Sequence, residues 1–195
     1  MPRAGLTPAV VVSEAAAVAD EVGLDRLTLA AVASRLGVRL PSLYKHVSGL
    51  DALRVAIAAA ACRELTAALT AACLGLSGDD ALLAMAHAYR DYAERRPGAY
   101  AATLRAPEPG DGEHVAAARQ LLGVVSAVLA GFGLAGEDAV DGVRGLRAVL
   151  HGFVAIEAAG GYAMPQDLDR SYERLIRGYA GTLRGYAGTA AGRSA

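Results

Sequence analysis

Tryptophan is absent from this 195-residue chain, phenylalanine occurs twice, and lysine appears once, as Lys45. With so few bulky aromatics, any core has to be assembled from small aliphatic side chains. The hydrophobic fraction of 54%, rich in alanine and valine, supplies them. Cysteine is limited to Cys62 and Cys73. On one helix these would lie about 16 Å apart, too far to bridge, so they read as small buried hydrophobes suited to a reducing compartment. No stretch shows sustained period-2 alternation, which excludes exposed strands and points to packed helices. The longest uncharged run, Leu121 to Gly136, carries four glycines. It falls short of the roughly 20 apolar residues that span a bilayer. Glu14, Asp20 and Glu21 interrupt the N-terminal apolar stretch, so no signal peptide is expected and the protein reads as soluble and cytoplasmic.

Catalytic and metal-binding patterns are missing as well. There is no phosphate loop, GxSxG elbow or HExxH. The four histidines and two cysteines never cluster at ligand spacing. Asp79-Asp80 reads as a helix start, not an acid/base pair. No cofactor, no metal and no enzymatic activity are expected.

What is present is concentrated between Leu27 and Leu53, LTLAAVASRLGVRLPSLYKHVSGLDAL. Thr28 is an N-cap, its hydroxyl placed to accept from an amide of the first helical turn. Leu29, Val32, Ala33 and Leu36 then recur on one helical face. Gly37 stops that helix cheaply in the left-handed region, and Pro41 marks the start of the next. Upstream, Thr7 and Pro8 repeat the cap-then-proline start, and Val11, Ala15, Val18 and Val22 give a first helix with one apolar stripe. The second short helix, Leu40 to His46, is polar outside. Arg39, Ser42, Lys45 and His46 face outward with Tyr44 beside them, while Leu43 and Val47 point inward. Such a helix suits the DNA major groove. Taken singly, Arg39 and Lys45 also read as solvated charges, Tyr44 as a packing aromatic and His46 as a cation at a helix C-terminus. The register that unites them favours DNA.

This segment resembles the DNA-binding domain of TetR-type transcriptional regulators. The likeness rests on the threonine cap, the Gly37–Val38 turn and Ser42-Leu43-Tyr44-Lys45-His46-Val47, and covers the first quarter of the chain. It implies that Thr28, Ser42, Tyr44 and His46 meet phosphates, and that Arg39, Leu40, Pro41 and Lys45 read bases or line the groove wall. Many members carry a lysine at the start of the fourth helix, where this chain has Leu50. Either a phosphate contact is lost there, or the helix N-terminus supplies it.

Charge fits this reading only locally. The chain is net -1, with pI near 6.4. From Met1 to Arg54 six Lys/Arg stand against five acids, but from Arg26 to Arg54 the ratio is five to one. So few phosphate contacts would bind weakly in a monomer, and two copies would double them.

The rest of the chain reads as helical. A helix over about Leu50–Leu74 is followed by a break at Gly75–Gly78 and a helix ending at Arg95-Arg96. A short helix at Gly98–Arg105 and a loop at Ala106–Gly112 come next. Helices over Glu113–Ala130, Glu137–Ala159 and Leu168–Arg184 complete the pattern, with a fraying tail from Gly185. The expected fold is all-α with about nine helices, comprising a helix-turn-helix DNA-binding domain at 1–54 and a ligand-binding and dimerisation domain at 55–195. The boundary falls inside the fourth helix.

RDYAERRPGAY, LRAVLHGFVAIEAAGGY and DLDRSYERLI resemble a TetR-like regulatory domain with a His151-Gly152 pair. That resemblance implies a small-molecule pocket and a homodimer formed by the last two long helices. Val143, Leu146, Val149, Leu150 and Phe153 on one helix, and Tyr172, Leu175, Ile176 and Tyr179 on the other, form apolar faces that suit either core or interface. Gly142 and Gly145 would let a partner backbone approach. Pocket candidates are His87, Tyr100, His151, Phe153, Tyr162 and Met164. The expected function is a dimeric regulator, more a repressor than an activator, that binds a pseudo-palindromic double-stranded DNA operator and is released by an effector. The alternatives are a DNA-binding regulator with no small-molecule effector and, further off, a helical enzyme.

Overall fold

The computed structural model describes residues 6–192, with side chains as far as residue 187. Among these the chain forms nine α-helices, a 3-10 turn and no strand. In order they are α1 (Pro8–Val22), the 3-10 turn Leu24–Arg26, α2 (Leu29–Leu36), α3 (Leu40–Leu43), α4 (Leu50–Cys73), α5 (Gly78–Arg95), α6 (Pro97–Thr103), α7 (Gly112–Ala130), α8 (Gly136–Ala158) and α9 (Leu168–Gly192). The all-helical expectation holds, and most boundaries fall within two residues of it. The exceptions are the end of α3, described below, and the end of α9. No proline interrupts α9 after Arg184, and it continues to Gly192.

Two compact units result. Among the described residues one comprises 6–65 and 95–120, the other 66–94 and 121–192. A boundary drawn at one point of the sequence does not express this, because the chain leaves the first unit within α4 and returns to it at the end of α5.

In the first unit, local signals set the helix starts. The Thr7 hydroxyl accepts from Val10 N at 3.3 Å, and the Thr28 hydroxyl from Ala31 N at 3.2 Å. The apolar stripe of α1 (Val11, Ala15, Val18) meets Leu27, Val32, Leu43, Leu53 and Ile57 in one core. Burying each large aliphatic side chain there contributes about 1.5–3 kcal/mol. Helix α6 joins the same core through Ala102. It approaches α1 so closely that a Cβ on Gly98 would stand 2.1 Å from the Ala19 carbonyl carbon.

In the second unit α8 and α9 pack against each other. Leu146, Leu150 and Phe153 face Tyr172, Ile176 and Tyr179, and all six are buried. Here the structure corrects one expectation. Gly142 and Gly145 accommodate neighbours within the same chain: a Cβ on Gly142 would crowd Leu134 at 2.9 Å, and one on Gly145 would overlap the Tyr179 hydroxyl at 2.2 Å. That hydroxyl donates to the Gly142 carbonyl at 2.8 Å. Burial pushes the Tyr179 pKa up to about 12.

Among the described residues α4 is the one helix long and apolar enough to cross a membrane by length and composition. Its Leu53, Ile57, Cys62, Leu65 and Leu69 are instead buried within the protein.

Candidate nucleic-acid interface

The turn that presents the candidate residues is built by the backbone. Gly37 takes the left-handed conformation (φ 65°, ψ 31°). Its amide donates to Ser34 O at 3.1 Å and the Val38 amide to Ala33 O at 3.0 Å, closing α2 in the paired pattern typical of such caps. Three residues later the chain is helical again. Helix α3 is shorter than the sequence suggests, running from Leu40 to Leu43 where the pattern indicates His46. The reason lies in the hydrogen bonds. Tyr44 N reaches Leu40 O at only 3.4 Å, and His46 N then turns to Leu43 O at 2.9 Å, an i→i+3 bond that tightens the coil. Tyr44, Lys45 and His46 therefore ride on a turn that prolongs α3.

The intended faces survive this shortening. Leu43 is fully buried and Val47 packs against the core. Arg39, Leu40, Pro41, Tyr44 and Lys45 are exposed, as is Thr28 at the start of α2, and Ser42 is partly so. Tyr44 is 54% exposed and Leu40 37%. His46 is more withdrawn than its neighbours and forms part of a cavity wall on its inner side.

The structure redistributes the charge that a linear count placed here. Arg35 is held by two acids of α1, with Nε 2.8 Å from Glu14 and Nη1 2.5 Å from Glu21. Their hydrogen bonds raise its pKa further. Arg54 lies 3.6 Å from Asp51 and reaches the Asp25 carbonyl at 3.4 Å. Arg26 turns back onto the Val22 carbonyl at 2.5 Å. Arg39 and Lys45 remain, paired with no described carboxylate, one before and one after α3. Leu50 is partly buried against the core at the first residue of α4. Its side chain belongs to packing, which leaves the first-turn amides of α4 as the polar feature of that place.

Comparison with known proteins decides what this head belongs to. Residues 82–179 match the family described as tetracyclin repressor-like, C-terminal domain. A helix-turn-helix-type transcriptional regulator of Bacillus subtilis (strain 168) is 36% identical over 177 residues, spanning 90% of this chain and 92% of the relative. The chain belongs to the TetR family of transcriptional regulators. A second regulator of the helix-turn-helix type, from Mycobacterium tuberculosis, is 42% identical over 142 residues, 72% of this chain and 65% of its own length. The fold likeness extends to a crystal structure of a TetR variant from Acinetobacter baumannii in complex with minocycline. That match has a TM-score of 0.65 at 22% identity and covers 90% of this chain and 97% of the other. Members of this family are regulators, not enzymes.

In this TetR-family chain the pocket candidates fall in several places. His87, Phe153 and Tyr162 gather around Tyr172 in the second unit. Phe153 lies 4.8 Å from both tyrosine rings, and His87 meets Tyr172 edge-on at 5.8 Å. His87 Nε2 also lies 3.5 Å from Glu173. His151 is partly buried on α8, Met164 is 78% exposed, and Tyr100 is buried in the first unit.

Sequence reasoning missed the residue at the centre of the cluster, Arg90. It donates to both Glu157 oxygens (2.8 and 2.5 Å) and to Asp169 at 2.8 Å, and it lies over the Phe153 and Tyr172 rings. These partners hold its pKa well above the usual arginine value. Burial raises the Tyr172 and Tyr162 hydroxyls as well. Arg90, one of three arginines within RDYAERR, carried no signal of so many partners.

Proposed function

We propose that this TetR-family chain acts as a homodimer, placing the α3 turn of each protomer in successive major grooves of a pseudo-palindromic operator. The observation that carries the reading is an exposed turn with Tyr44 outward and two unpaired cations, Arg39 and Lys45, mounted on a tightly packed helical core. Leu40, Pro41 and the Arg39 and Lys45 side chains would meet base edges and groove wall. Thr28, Ser42, Tyr44 and His46 would meet phosphates. The half-sites should be spaced by about 34–36 Å or a multiple.

Dimerisation through α8 and α9 is supported by apolar side chains that these helices leave exposed in the single chain, namely Val140, Ile156 and Leu175. It is also required by energetics, since two unpaired cations make few phosphate contacts. A repressor released by a small molecule fits best. The minocycline-bound TetR variant supports an effector for this fold, and the aromatic cluster around Arg90, with His87 and Tyr162 at its edges, is the place in the second unit that combines apolar rings with polar handles. The effector acts by preferring a body conformation that mis-spaces the heads, and weakens operator binding by that differential affinity. Such a protein works in the cytoplasm, beside the genome.

Selection of bound fragments from random DNA tests the reading. Recovery of a two-fold motif with half-sites one helical turn or a multiple apart is expected. Recovery of no motif, or of a single asymmetric site bound by a monomer, overturns it.

A further inference from the structure

Helix α3 is four residues long, and its composition limits how it can read a base pair. Of Leu40, Pro41, Ser42 and Leu43, the last is fully buried. The outward surface of the helix is therefore Leu40, Pro41 and part of Ser42. Neither Leu40 nor Pro41 carries a side-chain donor or acceptor. The Ser42 hydroxyl is all the hydrogen-bonding capacity that the side chains of α3 present.

Single exposed leucines are ordinary on a protein surface. Leu40 differs by its position. Leu27, Val32, Leu43, Leu53 and Ile57 of the same unit are buried in the core, and Leu40 belongs neither to that core nor to the partly buried side chains around it. It is instead the first residue of the helix. The N-terminal residues of a reading helix are the ones that meet base edges in the major groove. One turn on, exposed Tyr44 bonds back to the Leu40 carbonyl, which sets the two side chains on one side. Arg39 and Lys45, the cations without a described carboxylate partner, flank this apolar centre.

In the major groove every base edge presents donors and acceptors, and thymine adds the one apolar group, its C5-methyl. A leucine set against amino or carbonyl groups strips them of water and returns no hydrogen bond. Set against a methyl group, it removes apolar surface from water on both sides.

We infer that Leu40, with Pro41 beside it, selects a thymine in each half-site by packing on its C5-methyl group. This rests on the operator reading above and adds to it the identity of one base. The contact carries no charge, so discrimination at this position is insensitive to salt, although overall affinity is not.

The test takes the operator recovered by selection and the full chain. Each thymine of a half-site, on either strand, is replaced in turn by deoxyuridine, which removes the methyl and nothing else. Affinity is followed by fluorescence anisotropy. At one position the expected loss is about four-fold, and about fifteen-fold when both half-sites are altered, the worth of one and of two buried methyl groups. The ratio stays constant between low and high salt. At the same position 5-methylcytosine opposite guanine binds more tightly than cytosine. Leu40→Ala, a change at an exposed side chain, binds the thymine and uracil operators alike. A half-site of G·C pairs alone, uracil tolerated at every position, or a loss that persists in full in Leu40→Ala overturns the inference and leaves the DNA reading standing. Recovery of no motif removes both.

Discussion

Arg96 and Asp20, 76 residues apart in the chain, meet with the arginine Nε 2.6 Å from the Asp20 Oδ2 oxygen. The other carboxylate oxygen of Asp20 accepts from the amides of Gly98 and Ala99 at 2.8 and 2.9 Å, first-turn donors of α6 that have no partner within the helix. The Nη1 of Arg96 reaches on to Glu64 of α4 at 2.9 Å. One side chain of the first helix thus caps a helix from much later in the sequence and holds its flanking arginine. This is how α6 becomes part of the head.

Asp20→Ala should lower stability by about 2–3 kcal/mol, because it orphans two amides and releases a partly buried arginine together. Asp20→Asn should recover part of this, since its amide oxygen still accepts from the α6 turn. Urea denaturation of the three proteins, compared by midpoint at constant slope, checks the order.

Gly98→Ala should cost about 3 kcal/mol, at the upper end of overpacking effects. The added methyl would overlap backbone atoms of Ala19 and Asp20, the nearest at 2.1 Å, and no side-chain rotation relieves that. Gly152→Ala makes the control, because nothing lies within 4 Å of its Cβ position. It should be neutral or slightly stabilising through helix propensity. Thermal melts of both variants decide the point.

Tyr44→Ala combined with Lys45→Ala should abolish specific operator binding while the unfolding free energy stays within about 0.5 kcal/mol, since both side chains are exposed. Lys45→Gln alone should reduce the slope of log K against log salt by about one unit per protomer bound. Footprinting and salt titration measure these. A normal footprint from the double variant would put the reading surface elsewhere.

The acid limb of stability should carry the signature of His114. Its folded pKa is depressed by burial below the ordinary 6.5, with Arg105 acting in the same sense and Asp111 opposing. The unfolded chain therefore takes up this proton at a higher pH than the folded one. The corresponding stability is present in full above 6.5 and is lost as pH falls through the folded value. The slope is at most about 1.4 kcal/mol per pH unit. His114→Phe should flatten that part of the profile, as urea midpoints measured across it would show.

Much of the head was legible because its signals are local. The caps at Thr7 and Thr28, the left-handed glycine at 37 and the apolar spacing of α1 and α2 each depend on residues within a turn or two. The length of α3 was not, since it depends on whether Tyr44 N reaches Leu40 O or the chain tightens one residue earlier. The linear charge count misjudged which cations are available. Glu14 and Glu21 lie outside the window that counted five against one, yet in space they neutralise Arg35. Gly142 and Gly145 illustrate the same difficulty: two helical glycines announce a close approach without naming the neighbour, and the neighbours are Leu134 for Gly142 and Tyr179 for Gly145, both of the same chain.

By itself, then, the sequence determined the class of fold, the sites where the helices begin, and the turn offered outward, because each follows from hydrogen bonds and side-chain periodicity along a few neighbouring residues. Only the tertiary structure decided which charges stay unpaired, that Asp20 fastens α6 to α1, that Arg90 gathers two acids and two rings, and that His114 is sealed away without a hydrogen-bond partner among the described residues. These depend on distances between residues tens of positions apart, and such distances exist only once the helices have packed.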